Sequence, residues 1–425
     1  MQAIRQKSSL VICKKLIKLS FRMKNEEESQ KFHLKMRFLN RKKNSFRNDI
    51  NIKILVIKMI KNLTDKQKVN YVRILAILAV LVLMVYAPKL WLSTKVFPVI
   101  PLFDWLPIPS YPLDYVLAGF FFIIQIVYIF QNKRWQGWTI ILLYLFLALV
   151  DQNRLQPYFY QSFLTIFAIE IFNRKTNPRK ILYAIILIFF ATYFWSGVQK
   201  ANEAFYIQWL SALNKHFSFL PQLFLETFTY AVPWLEALMG VLLLFNKTRK
   251  FGVLFILSMH SIIVLLLFYL GYGYNVVPWN IQNMLSVIII FWTLKTSTFT
   301  EFFVQYFNKQ KMAILVFTIL LPTANNLTGF YDNLLSFHFF TADLSYYNVY
   351  LNEELEDKLP DHIKVFYRFD DGKAYLNMNE WAQYDNKVLF YPEERIIKYM
   401  DKYLRSFAEN PNEKGLTTLV DYNKK

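Results

Sequence analysis

From Arg73 to Pro322 the chain alternates apolar stretches with short polar loops. Nine such stretches can be read: 74–91, 115–130, 138–150, 158–172, 181–198, 230–245, 251–270, 281–294 and 312–321. A helix needs roughly 20 residues to cross a bilayer; several of these are shorter, and either extend into flanking aromatic residues, tilt, or end early inside the bundle. The pattern predicts an all-α polytopic transmembrane bundle of about nine spans over 71–324. After Pro322 the long apolar runs stop. HIKVFYRF (362–369) and KAYLNMNEW (373–381) read as strands joined at Asp370, Asp371 and Gly372. PEERIIKYMDKYLRSF (392–407) reads as an amphipathic helix with Ile396, Ile397, Met400 and Leu404 on one face. The expectation is a small extracytoplasmic α+β domain over 325–425.

Charge turns this pattern into an orientation. Loops after the second, fourth, sixth and eighth stretches hold most of the basic residues, among them Lys133, Arg134, Arg179, Lys180, Lys247, Arg249, Lys309 and Lys311. The alternate loops hold only Lys95, Arg154, Lys200 and Lys215. The positive-inside rule puts the first group in the cytoplasm, with the N-terminus, and the C-terminal region outside a bacterial-type inner membrane. The net charge of +19 is concentrated in residues 1–70, with 19 Lys and Arg against 5 Asp and Glu, whereas 325–425 is acidic, with 12 against 17. No recognition module accompanies the basic excess, so the expected partners are membrane lipid and a protein at the C-terminal tail, and not nucleic acid. The 1–70 segment reads as a disordered cytoplasmic arm, or as translated flanking sequence ahead of a start near Met59. The single cysteine, Cys13, excludes an intrachain disulfide or dithiol relay.

Ionisable and amide groups at membrane depth are rare and generally face the bundle interior. Lys200 closes the fifth stretch in ATYFWSGVQKAN; it is either a lysine snorkelling to water or, held in an apolar pocket, an amine able to act as a base. Glu236 and His260 lie within the sixth and seventh stretches, where Glu236 can pair with Lys200 or His260, or the groups can serve as clasps between helices. The GYGYNVVPWNIQNM run supplies Asn275, Trp279, Asn280 and Asn283 as candidate ligand-binding groups, and DQNRLQPYFYQ adds Arg154, which can equally pair locally with Asp151. No HxxxH or HExxH spacing occurs, so no metal is expected.

The segments YFWSGVQKAN, FILSMH and NVVPWNIQNM, in that order on this hydropathy profile, resemble the vitamin K-dependent γ-carboxylase-like family, also called the HTTM domain. The resemblance covers roughly 71–340 and implies that Lys200 is a catalytic base acting on a reduced quinone; the depth of His260 and Glu236 in their stretches makes them the candidate supporting groups. The stretch RLQPYFYQSFL lacks the histidine that the carboxylases carry there, and the tail is small. The resemblance thus implies the scaffold and a quinone- or lipid-accepting outward-facing pocket more than protein carboxylation. The alternative reading is a non-enzymatic accessory or scaffold subunit whose C-terminal tail docks a partner. A carrier is a third, without a clear internal repeat to support it.

Overall fold

The computed structural model describes residues 62–172, 177–291, 297–304 and 308–423. The basic arm expected over 1–70 lies outside the described residues as far as residue 61, and Cys13 with it. Residues 64–425 form one compact unit, which holds both the helical bundle and the C-terminal sheet.

The bundle helices are α1 (Asp65–Tyr86), α2 (Leu113–Gln131), α3 (Arg134–Val150), α4 (Pro157–Ile171), α5 (Pro178–Gln199), α6 (Glu203–Phe217), α7 (Gln222–Leu244), α8 (Arg249–Leu270), α9 (Val277–Phe291) and α10 (Lys309–Thr328). Six of them, α1, α2, α5, α7, α8 and α10, are long and apolar enough to cross a membrane, and the chain is a multi-pass membrane protein. The expectation of nine spans is not confirmed. Among the described residues, the stretches at 138–150 and 158–172 form the shorter helices α3 and α4, of 17 and 15 residues, and the stretch at 281–294 is described only as far as residue 291, in α9. Local chemistry sets their ends. Pro157 opens α4 at a position where no backbone N–H is needed. Gly271 and Gly273, both at positive φ, unwind the chain ahead of α9. In α10 a π-helical turn, Val316–Leu320, precedes Pro322.

Burial ranks the helices. The apolar window of α5 is 83% buried, against 17% for α8, so α5 is an inner helix and α8 a peripheral one. Two glycines let the α5 and α7 backbones touch. A Cβ at Gly197 would lie 2.3 Å from the Ala237 nitrogen, and one at Gly240 would lie 2.8 Å from the Phe190 carbonyl oxygen. Lipid supplies no hydrophobic drive between helices, so such close approach provides the packing energy instead.

The basic residues at one end of the bundle have a local task. The last carbonyls of a helix lack intrahelical partners. Arg73 donates to the Tyr128 and Ile129 carbonyls at the end of α2. Arg134 donates to the Glu170 carbonyl at the end of α4, and Arg249 to the Leu243 carbonyl at the end of α7. Each cation also meets the negative end of a helix dipole.

The opposite end carries the C-terminal region. Strands β1 (Tyr347–Leu351), β2 (Tyr367–Asp370), β3 (Lys373–Asn377) and β4 (Thr417–Asp421) make an antiparallel sheet in the order β2-β3-β1-β4. Helices α11 (Met378–Asn386) and α12 (Glu394–Arg405) accompany it. The expected hairpin is present but tighter than read. Residues 361–364 form a helical turn, and Asn377 ends β3 by capping α11, its side chain accepting from the Glu380 amide. In α12, Ile396, Ile397, Met400 and Leu404 are all buried, as their spacing predicts.

Candidate functional site

Most of the polar groups singled out in the sequence meet in one seam between α4, α5, α7, α8 and α9, beneath the segment that leads into β1. Lys200 stands at the C-terminal end of α5, where its ammonium reaches Glu236 Oε2 of α7 at 2.9 Å. It also donates to the Ser196 hydroxyl one turn back and, at 2.8 Å, to the Phe339 carbonyl oxygen. The Ser196 carbonyl oxygen also lies within 3.4 Å, so the three N–H bonds of the ammonium all have acceptors. The register that joins Lys200 to Glu236 follows from the backbone contact at Gly197, which places residue 200 of α5 beside the turn after Pro233 of α7.

His260 of α8 lies deeper. Tyr193 of α5 approaches its Nε2 at 2.7 Å, and Asn280 Oδ1 of α9 meets its Nδ1. The Asn280 amide nitrogen donates to the Val276 carbonyl at 2.8 Å, so its oxygen faces the imidazole. His260 therefore carries its proton on Nδ1 and accepts the Tyr193 hydroxyl on Nε2. Both ring nitrogens are engaged within the chain.

A third group joins α4 to α9. Trp279 donates to Gln161 Oε1 at 2.6 Å, Gln161 donates to Asn283 at 2.9 Å, and Ser162 donates to Gln282 at 3.1 Å. The Trp279 ring lies edge-on to Phe339 at 5.8 Å, which brings this group up against the Lys200 cluster. The seam thus gathers Lys200, Glu236, His260, Trp279, Asn280 and Asn283. Asn275 and Arg154 stand apart from it. Asn275 is half-buried in the turn before α9. Arg154 is buried, donates to the Leu90 and Leu147 carbonyls at 2.9 and 2.7 Å, and lies over the Trp91 ring. Asp151 pairs with Lys95, a partner from a distant loop. Sequence reasoning passed over Tyr193 and Gln161. Both sit inside the polar runs already noticed, but only their helical register shows that they turn inward. Among the described residues no three His, Cys, Asp or Glu side chains stand together as metal ligands would.

A second polar cluster fixes the C-terminal region on the bundle. Arg395 forks onto Asp332 at 2.7 and 2.6 Å and donates to Gln152 Oε1 at 2.6 Å. The Tyr391 hydroxyl donates to the same Asp332 at 2.7 Å. Lys89 pairs with Asp385 at 2.8 Å, and the other Asp385 oxygen accepts from the Phe97 amide at 2.8 Å. Glu393 accepts from the Asn333 amide at 2.8 Å. Burial, reinforced by the nearby Asp332 carboxylate, pushes the Glu393 carboxyl up to about 7.

The family model of the methylamine utilisation protein MauE matches residues 178–279. The match begins at the first residue of α5 and runs to Trp279, so it spans α5 to α8 and contains Lys200, Glu236 and His260. It corrects the resemblance read from YFWSGVQKAN and FILSMH: the family similar over that stretch is MauE, a membrane protein family, and not the γ-carboxylase or HTTM family. No curated protein and no solved structure matches the chain.

Proposed function

We propose that this protein is a non-enzymatic membrane accessory subunit. Its helices hold the C-terminal α+β region against one end of the bundle, and that region docks a protein partner. The observation that carries the reading is the saturation of Lys200. A catalytic amine needs an open lone pair, and this nitrogen is committed to Glu236, Ser196 and Phe339 O. The same holds for His260, engaged at both nitrogens by Tyr193 and Asn280. The seam behaves as a clasp between helices, and the Phe339 contact extends that clasp to the chain entering the sheet.

The likeness to a methylamine utilisation protein over 178–279 supports a membrane component serving a larger system, with the shared part being the clasped helices. On the positive-inside reading, the lysine- and arginine-rich end lies in the cytoplasm and the sheet faces the far side of a bacterial-type inner membrane. Photo-crosslinking from exposed positions of the C-terminal region, such as Tyr384 and Val365, tests the docking role in the producing cell. A discrete protein adduct that disappears when the crosslinker is moved to the opposite end of the bundle is expected. Absence of any protein adduct across the whole exposed surface of the sheet and its helices would remove the docking role.

A further inference from the structure

The strand β2 has a neighbour on one side only within the sheet. β2 is an outer strand, joined to β3 by a two-residue turn in which Asp371 and Gly372 have φ of 47° and 78°. In such hairpins the residues flanking the turn exchange both ladder hydrogen bonds, and the pattern then alternates. Asp370 and Arg368 accordingly direct their backbone groups at β3. Phe369 and Tyr367 leave theirs at the open edge, where an unpaired N–H and C=O row invites another strand.

The side chains on this edge select what can come. Arg368 lies opposite Tyr375, which lies opposite Tyr350, and the Tyr350 hydroxyl donates to Asp370 at 2.9 Å. Arg368 and Asp370 are therefore on one face of the sheet, two residues apart and opposite in sign. Phe369 points to the other face and is 64% exposed. The Arg368–Glu380 pair is solvent-exposed on both sides, so drawing the guanidinium elsewhere costs little.

We propose that two copies of this chain associate through antiparallel pairing of their β2 edges, with the two-fold axis at Phe369. In that register Arg368 of each copy faces Asp370 of the other, at the closely spaced positions where cross-strand charges interact best. The two Phe369 rings meet on the opposite face. The backbone alternation allows only registers shifted by two. A shift one way sets Arg368 against Arg368, and a shift the other way sets Asp370 against Asp370. Charge complementarity thus leaves one register, and that register is self-complementary, as an isologous dimer requires. The edge is short, but confinement to one membrane raises the effective concentration of the partners. This inference does not depend on the accessory reading above.

The test uses full-length protein carrying two different tags, co-expressed and extracted into native nanodiscs. Capture of one tag brings down the other if the copies pair. Arg368→Asp alone and Asp370→Arg alone are each expected to lower co-capture about tenfold, since two attractive pairs become two repulsive ones. The double swap Arg368→Asp/Asp370→Arg restores it, and so does co-expression of one single variant with the other. If a single variant misfolds, as thermal unfolding would show, the double swap remains decisive. Wild-type protein that is monomeric, co-capture indifferent to the single swaps, or a different protein crosslinked at Phe369 in place of a second copy would each overturn the proposal.

Discussion

Lys200 and Glu236 meet at 2.9 Å across two helices whose backbones touch one turn away, at Gly197 and Ala237. Both side chains are largely buried, and a buried ion pair is retained or lost as a unit. Removing one partner leaves an uncompensated charge and costs on the order of 3 kcal/mol or more, whereas replacing both with apolar groups is far milder. Lys200→Met and Glu236→Leu are each expected to lower the thermal unfolding midpoint of the purified protein, and the double variant to recover most of the loss. A residual deficit of about 1 kcal/mol remains, because the Phe339 carbonyl loses a donor. A double variant as damaged as either single would show that the pair does more than join α5 to α7.

Gly197 allows no side chain. A Cβ there would fall 2.3 Å from the Ala237 nitrogen and 2.6 Å from the Pro233 oxygen, both backbone atoms that cannot rotate away. Gly197→Leu is expected to separate α5 from α7 and break the Lys200–Glu236 pair with it. Disulfide trapping between cysteines placed at Ser196 and Pro233 reports the separation directly. Unchanged trapping with wild-type stability would mean that the two helices are held mainly by other contacts.

The seating of the C-terminal region depends on pH through Glu393. Its carboxyl titrates near 7 in the fold, because burial and then Asp332 disfavour the charged form. A raised carboxyl favours the folded state below its unfolded pKa of about 4.5, and that contribution is lost as pH rises through about 7. The shift corresponds to about 3 kcal/mol. Hydrogen exchange of the 325–405 region should therefore accelerate between pH 5 and pH 8 beyond the intrinsic rate change. Glu393→Gln, which keeps an acceptor for the Asn333 amide, is expected to remove that excess. An unchanged pH profile in this variant would place the dependence elsewhere.

The long apolar runs made the six helices of membrane-crossing length legible, because little else places so many aliphatic residues in sequence. Span length was not legible for α4. It looks apolar enough to face lipid, yet it is largely covered by protein and carries Gln161 and Ser162 inward. The helix α6 was missed because its polar and apolar residues are mixed over Glu203–Phe217, and no uninterrupted run marks it. In the C-terminal region the β2–β3 hairpin is local and its turn is written in Asp371 and Gly372. β1 and β4 pair only with strands distant in sequence, so nothing near them announces a partner. The clasp was half legible. Lys200, Glu236 and His260 stood out as ionisable groups at depth, but choosing between Lys200 and His260 as the partner of Glu236 required the α5–α7 register, which glycine contact sets.

The bond from the Lys200 ammonium to the Phe339 carbonyl ties a helix end to a residue synthesised 139 positions later. The clasp at the end of α5 is therefore complete only when the segment leading into the sheet is in place.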